Sequence, residues 1–207
     1  MLVIFLAVKF GEYGFQSYRE NVLTTTNEKL IPQMQAELET KINQVQKNAT
    51  QKHSDVSVSD AMLQEANVYV TKKITSEQDE KKRLATAASM FFGYYFTNVM
   101  ARPDFCRLEG VDIQPFVNAF EKINSNELNK ARAILADLSF NESQFITLIK
   151  PQMQKQIKTD MNEMTILNKI TKKEACQYIF KNADTLADEM QLSKVQPAIF
   201  QALSSAK

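Results

Sequence analysis

At 207 residues, 44% of them apolar, the chain holds enough hydrophobic material for one domain's core and a smaller appendage, and too much for a disordered polymer. Its 25 basic and 24 acidic residues nearly cancel, and neither end carries the excess charge of a phosphate-backbone binder. Only four glycines and five prolines are present, so few turns are needed and long helices are favoured.

Residues 1–23 form a hydrophobic N-terminal segment. Met1–Val8 is wholly apolar, Lys9 interrupts, and Phe10, Tyr13, Phe15 and Tyr18 continue the pattern. As a helix, Met1–Phe15 is about 22 Å long at about 1.5 Å per residue, short of a hydrocarbon core of about 30 Å. No basic residue precedes the run, and Gly11–Phe15 offers no small-x-small cleavage site. Three readings stay open: an uncleaved membrane anchor using residues 1–18, an imperfect export signal, or a helix buried against the domain. Lys9 can snorkel, so it does not argue against the anchor.

Residues 24–57 read as an amphipathic helix and a polar linker. After Thr24-Thr25-Thr26-Asn27, apolar residues recur at Ile31, Met34, Leu38, Ile42 and Val45. That narrow stripe over residues 27–47 suits a stalk, a self-association seam, a surface for another protein or a strap packed on the main domain. Residues 46–58 are rich in Gln, Lys, Asn and Ser, and the domain boundary is expected near Ser57.

From residue 58 onward the pattern is helix after helix. Ser59-Asp60 opens one to about Lys73. Ser76 and Asp79 open the next, whose Leu84, Ala87, Ala88, Phe91, Phe92, Tyr94, Tyr95, Phe96 and Val99 cover most of its circumference. A helix apolar nearly all round belongs at the centre of a bundle. Ala101–Asp104 is expected to end it, with a short turn at Phe105–Glu109 closed by Gly110. Asp112 caps the next helix, and Pro115 is tolerated in its first turn. Asn124-Ser125-Asn126 punctuates before the stripe Leu128, Ala131, Leu135 and Leu138. Asn141 and Gln144 resemble a capping box, and Phe140 and Phe145 stand at the positions of a hydrophobic staple. Pro151 is expected to kink or split that helix near Lys150. Thr171 and Glu174 form a second capping box before Ala175, Ile179, Ala183, Leu186 and Met190. Ser193 and Gln196 start the last helix.

Chemistry-bearing patterns are scarce. His53, the single histidine, lies in the polar linker with no ligand spacing around it, so a zinc centre or a Cys–His nucleophile has no sequence support. There is no Glu-x-x-His di-iron motif and no glycine-rich phosphate loop. Asp160 and Glu163 share a helix face, as many surface carboxylates do. The Lys-Lys pairs at 72–73, 81–82 and 172–173 read as solvated helix faces. No catalytic residue, cofactor, metal or nucleic-acid partner is expected. Cys106 and Cys176 carry a sharper signal. An even cysteine count behind a hydrophobic start suits one disulfide in an oxidising compartment. The alternative is two buried thiols acting as small hydrophobes. Nine methionines and thirteen phenylalanines pack a Trp-free core or line an apolar-ligand cavity.

The stretch Phe92-Gly93-Tyr94-Tyr95-Phe96, Ala101–Cys106, Gly110-Val111-Asp112, Phe116 and Phe120 resembles small, uncharacterised all-helical proteins of the Gram-negative envelope. The resemblance covers about 30 residues. It implies a bacterial protein, anchored in the inner membrane facing the periplasm or free in the periplasm, and brings no catalytic residue with it.

The expected fold is all-α: an irregular bundle of six to seven helices over residues 58–207, preceded by the hydrophobic and stalk helices. The expected function is non-enzymatic protein binding at the envelope. Alternatives are a carrier of an apolar or lipid-like ligand, and an inhibitor or immunity protein.

Overall fold

The computed structural model describes residues 58–206 except 139, and before them Tyr13, Phe15, Ala36, Thr40 and Lys47. The stripe Ile31, Met34, Leu38, Ile42 and Val45, and His53, lie outside the described residues. So do the remaining residues of 1–18.

The described residues are all-α, with no strand among them. The helices are α1 (Val58–Ser76), α2 (Glu80–Phe96), a π-helical turn (Thr97–Ala101), α3 (Arg102–Leu108), α4 (Gln114–Ile123) and α5 (Ser125–Ala136). There follow α6 (Glu142–Asn168), α7 (Lys172–Lys181), α8 (Ala183–Glu189), α9 (Leu192–Val195) and α10 (Pro197–Ser205). Most fall on the six to seven helical stretches expected, more finely divided, while α3 lies where a helix end and a short turn were expected. The domain is a helical bundle around α2, which packs against α5, α10 and α6.

The central position of α2 follows from its sequence. Every residue from Ala87 to Phe96 is buried, and Phe91, Phe92, Tyr95 and Phe96 form ring contacts with one another and with Phe120, Phe140 and Phe145. Such pairs add to the area burial of each ring. Phe15 joins this cluster. It is 5% exposed and its ring lies 5.9 Å from that of Phe140, while Tyr13 packs alongside.

Several boundaries differ from the sequence expectation. Ser76 ends α1, and the cap of α2 is Asp79, whose Oδ1 accepts the Lys82 N–H at 3.0 Å. Arg102-Pro103 does not end the central helix. The Arg102 N–H instead reaches back five residues to the Thr97 carbonyl, and the wider π turn lets the rod continue as α3. Pro103 follows the π turn directly, so its missing N–H falls where the hydrogen-bond step changes from five residues to four. Pro151 does not split α6, which runs unbroken for 27 residues. Apolar burial on both sides of the proline, at Phe145, Leu148 and Ile149 and at Met153, Ile157 and Met161, holds the two halves to the same core. Conversely, Asn182 breaks the segment after Thr171, its Nδ2 donating to the Tyr178 carbonyl at 2.8 Å. Pro197 divides the last helix, since the residue before a proline is driven out of the helical region.

The expected caps of α6 and α7 are present. Asn141 Oδ1 accepts the Gln144 N–H at 3.0 Å, and the Phe140 and Phe145 rings lie 5.2 Å apart as a staple. Thr171 and Glu174 bond reciprocally. The Thr171 backbone N–H, then its hydroxyl, hold the Glu174 carboxyl below its ordinary range. A depressed carboxylate pKa contributes stability above the unfolded value, and that contribution is lost as pH falls through the folded one. The first turn of α7 is therefore expected to loosen on acidification. An NMR pH titration should show the Glu174 carboxyl titrating low while protection of the Thr171 amide falls with it; a Glu174 titration at the ordinary position would contradict this.

Two helices end in the same Schellman geometry. At α3, Val111 N–H reaches Cys106 O and Gly110 N–H reaches Arg107 O, with Gly110 at φ 75°. At α6, Ile170 N–H reaches Thr165 O and Lys169 N–H reaches Ile166 O, with Lys169 at φ 53°. Glycine occupies that left-handed position without strain; lysine does not. Lys169→Gly is expected to stabilise the protein by about 0.5–1 kcal/mol, read as a rise in Tm of about 2 °C.

Candidate functional site

The functional geometry begins with a polar ladder on the central rod. Tyr94, Asn98 and Arg102 stand four residues apart, and all three are buried. Asn98 Nδ2 donates to the Tyr94 carbonyl at 2.9 Å, and Arg102 Nε donates to Asn98 Oδ1 at 3.2 Å. The Tyr94 hydroxyl donates to the Met190 carbonyl at the end of α8. Burial pushes the Tyr94 phenol well above its ordinary value, with the Arg102 charge pulling the other way.

Arg102 NH2 meets Asp160 Oδ2 of α6 at 3.0 Å, with side-chain exposures of only 7% and 11%. Arg102 NH1 also lies 3.7 Å from Met161 Sδ. A desolvated pair of this kind is held by geometry: each charge needs the other, because neither has enough water. The link between positions 102 and 160 is tertiary, and nothing in the local pattern announced it. The i, i+4 spacing of Tyr94, Asn98 and Arg102 was the available signal.

Above this pair opens a pocket of about 180 Å³. Its lining adds Glu163, Met164, Leu167 and Asn168 from the end of α6, Phe116 from α4, Tyr178 and Ile179 from α7, and Leu186 and Met190 from the α8 end. The mouth is apolar and accessible, with Leu167 63% and Tyr178 48% exposed. Ile166 and Phe180, on the same two helices, are also exposed. Asp160 and Glu163 thus do share a face, and that face borders a cleft.

Cys106 and Cys176 are bonded to each other, both sulfurs fully buried, with Cα atoms 5.5 Å apart. The bond joins α3 to α7. Cys106 lies one turn beyond Arg102, and Cys176 lies two and three residues before Tyr178 and Ile179. The disulfide therefore ties the pocket's charged floor to one of its walls.

Among the described lining residues the ionisable side chains are Arg102, Asp160, Glu163 and Tyr178, with no histidine or thiol nucleophile beside them. Their chemistry is charge pairing and hydrogen bonding around an apolar slot. A second groove, of about 600 Å³, runs between the start of α2, α5 and Ala206. Glu80, Lys81, Lys130 and Asp137 border it beside Leu84, Ile134 and Leu138. No cluster of metal-binding side chains and no helix long and apolar enough to cross a membrane occurs among the described residues. No protein-family model matches the chain, and no curated protein or solved structure proved similar to it.

Proposed function

We propose that the protein is a non-enzymatic protein-interaction module of the bacterial envelope, and that the pocket over Arg102 and Asp160 seats an anchoring side chain of its partner. The observation that carries this reading is the pocket's size and rim. At about 180 Å³ it is smaller than the roughly 300–1,000 Å³ that small-molecule sites occupy. It opens onto the exposed apolar residues Leu167 and Tyr178. A small slot ringed by apolar surface suits the anchor-and-rim design of protein interfaces. The buried disulfide and the apolar start of the chain support the envelope as its location.

The carrier alternative draws on the phenylalanines and methionines; Phe116, Met164 and Met190 do line the pocket, but Phe91, Phe92, Phe96, Phe120 and Phe145 are buried among one another and do not. The test is a pull-down from native membranes with wild type and the Leu167→Asp/Tyr178→Ala variant, with bound proteins and lipids both identified. A protein retained by wild type and lost by a variant of unchanged Tm is the expected result. Recovery of lipid alone, or a partner indifferent to the variant, would overturn the proposal.

A further inference from the structure

We infer that α10 is a releasable strap, hinged at Gln196, which lifts from α2 while the rest of the bundle stays folded. The inference is independent of the pocket over Arg102 and Asp160.

Three observations carry it. First, the chain is tied firmly up to Gln196 and weakly beyond it. The Tyr94 hydroxyl holds the Met190 carbonyl, and the Leu192 N–H donates to the buried Asn124 Oδ1 at 3.2 Å, so the approach to α9 is bonded to α2 and to the α4–α5 junction. Among the described residues, one hydrogen bond joins α10 to another element, from Lys130 Nζ to the Ser204 carbonyl at 3.5 Å. The helix carries no charged side chain. Burial of Ile199, Ala202 and Leu203 holds it, as it packs against α1, α2 and α5. Second, docking strands a polar group. Gln196 is fully buried, and neither its Oε1 nor its Nε2 has a hydrogen-bond partner. An amide in that position has given up its water for nothing in return, so the docked state is raised and opening at this corner costs less. Third, the hinge is already a break in the rod. Gln196 lies at φ −141° and ψ 66°, outside the helical region, with Pro197 after it. It stands at the N-cap position of α10 without capping, so no side chain secures the first turn. Lifting α10 draws Ala206 away from the groove beside Leu84, Ile134 and Leu138 and widens it toward the face of α2 that the strap leaves.

The test is native-state hydrogen exchange on the full chain, read amide by amide at Phe200–Leu203 of α10 and Phe91–Tyr95 of α2, with urea kept below the unfolding transition. The α10 amides are expected to exchange at least about a hundredfold faster than those of α2, at rates that urea hardly changes, as local opening requires. Exchange of both sets at one rate, with one dependence on urea, would mean that α10 leaves only when the whole bundle unfolds, and would overturn the strap without any variant. Gln196→Met then tests the hinge, because methionine matches glutamine in length and carries no amide. If lifting α10 returns the Gln196 amide to water, the variant should slow α10 exchange about tenfold or more. Unchanged α10 exchange, with a higher Tm, would show that Gln196 stays buried when α10 opens. Faster exchange would show that the docked amide is satisfied. Either result would overturn the hinge at Gln196.

Discussion

Arg102→Met is expected to destabilise the domain by about 3–5 kcal/mol, because it takes the guanidinium away from the buried Asp160 carboxylate. Methionine keeps most of the stem's volume, so the loss reports the charge more than a cavity. The damage extends beyond the pair. Arg102 Nε also satisfies Asn98 Oδ1, and without it a buried amide oxygen loses its donor. Urea unfolding of Arg102→Met, Asp160→Leu and the double variant separates these effects. The double variant should recover a substantial part of the single-variant loss, since an apolar pair of similar shape replaces a desolvated one. A loss under about 1 kcal/mol in Arg102→Met would mean that water reaches the pair and that the pocket floor is not built as described.

Removing the disulfide is the second large perturbation. Cys106→Ala/Cys176→Ala is expected to lower stability by about 4 kcal/mol on the chain-entropy model, given a sequence separation of 70 residues. For a typical domain stability of about 5–15 kcal/mol that is a large share. Equilibrium denaturation of both forms gives the difference. Counting thiols in denaturant gives the bond directly: none free without reductant and two with it. Two free thiols in protein from its native compartment would contradict the bond. The effect on the site should exceed the effect on the remote core, because the bond clamps α7 to α3 beside the pocket. The two perturbations are not additive. Arg102 and Cys106 are one turn apart on α3, so loosening either changes what the other contributes.

Local rules made much of this fold legible in the sequence. The caps at Asn141 and Thr171, the Phe140–Phe145 staple and the burial of α2 follow from side chains a few residues apart, and they appear where expected. Prolines and glycine-free turns were harder. Pro103 and Pro151 stand in continuing helices, because a π turn accommodates one and flanking core contacts hold the other. Pro197 and Asn182 break helices whose apolar spacing runs straight through them. Periodicity reports which face is buried, not whether the rod bends between two buried turns. The site was legible only in fragments. The cysteine pair and the shared face of Asp160 and Glu163 were visible, but the partner of Arg102 lies 58 positions away and only the tertiary fold selects it.

The π turn at Thr97–Ala101 makes a single codon matter in this helix. Its five-residue hydrogen-bonded step holds one residue more than the α-helical ladder requires. Deleting one of those residues restores ordinary winding and rotates all that follows by about 100° relative to α2. Arg102 would swing from Asp160 and Cys106 from Cys176, while the apolar content of the chain hardly changed. A lineage that lost that one residue would inherit the aromatic core but neither the pocket floor nor the clamp beside it.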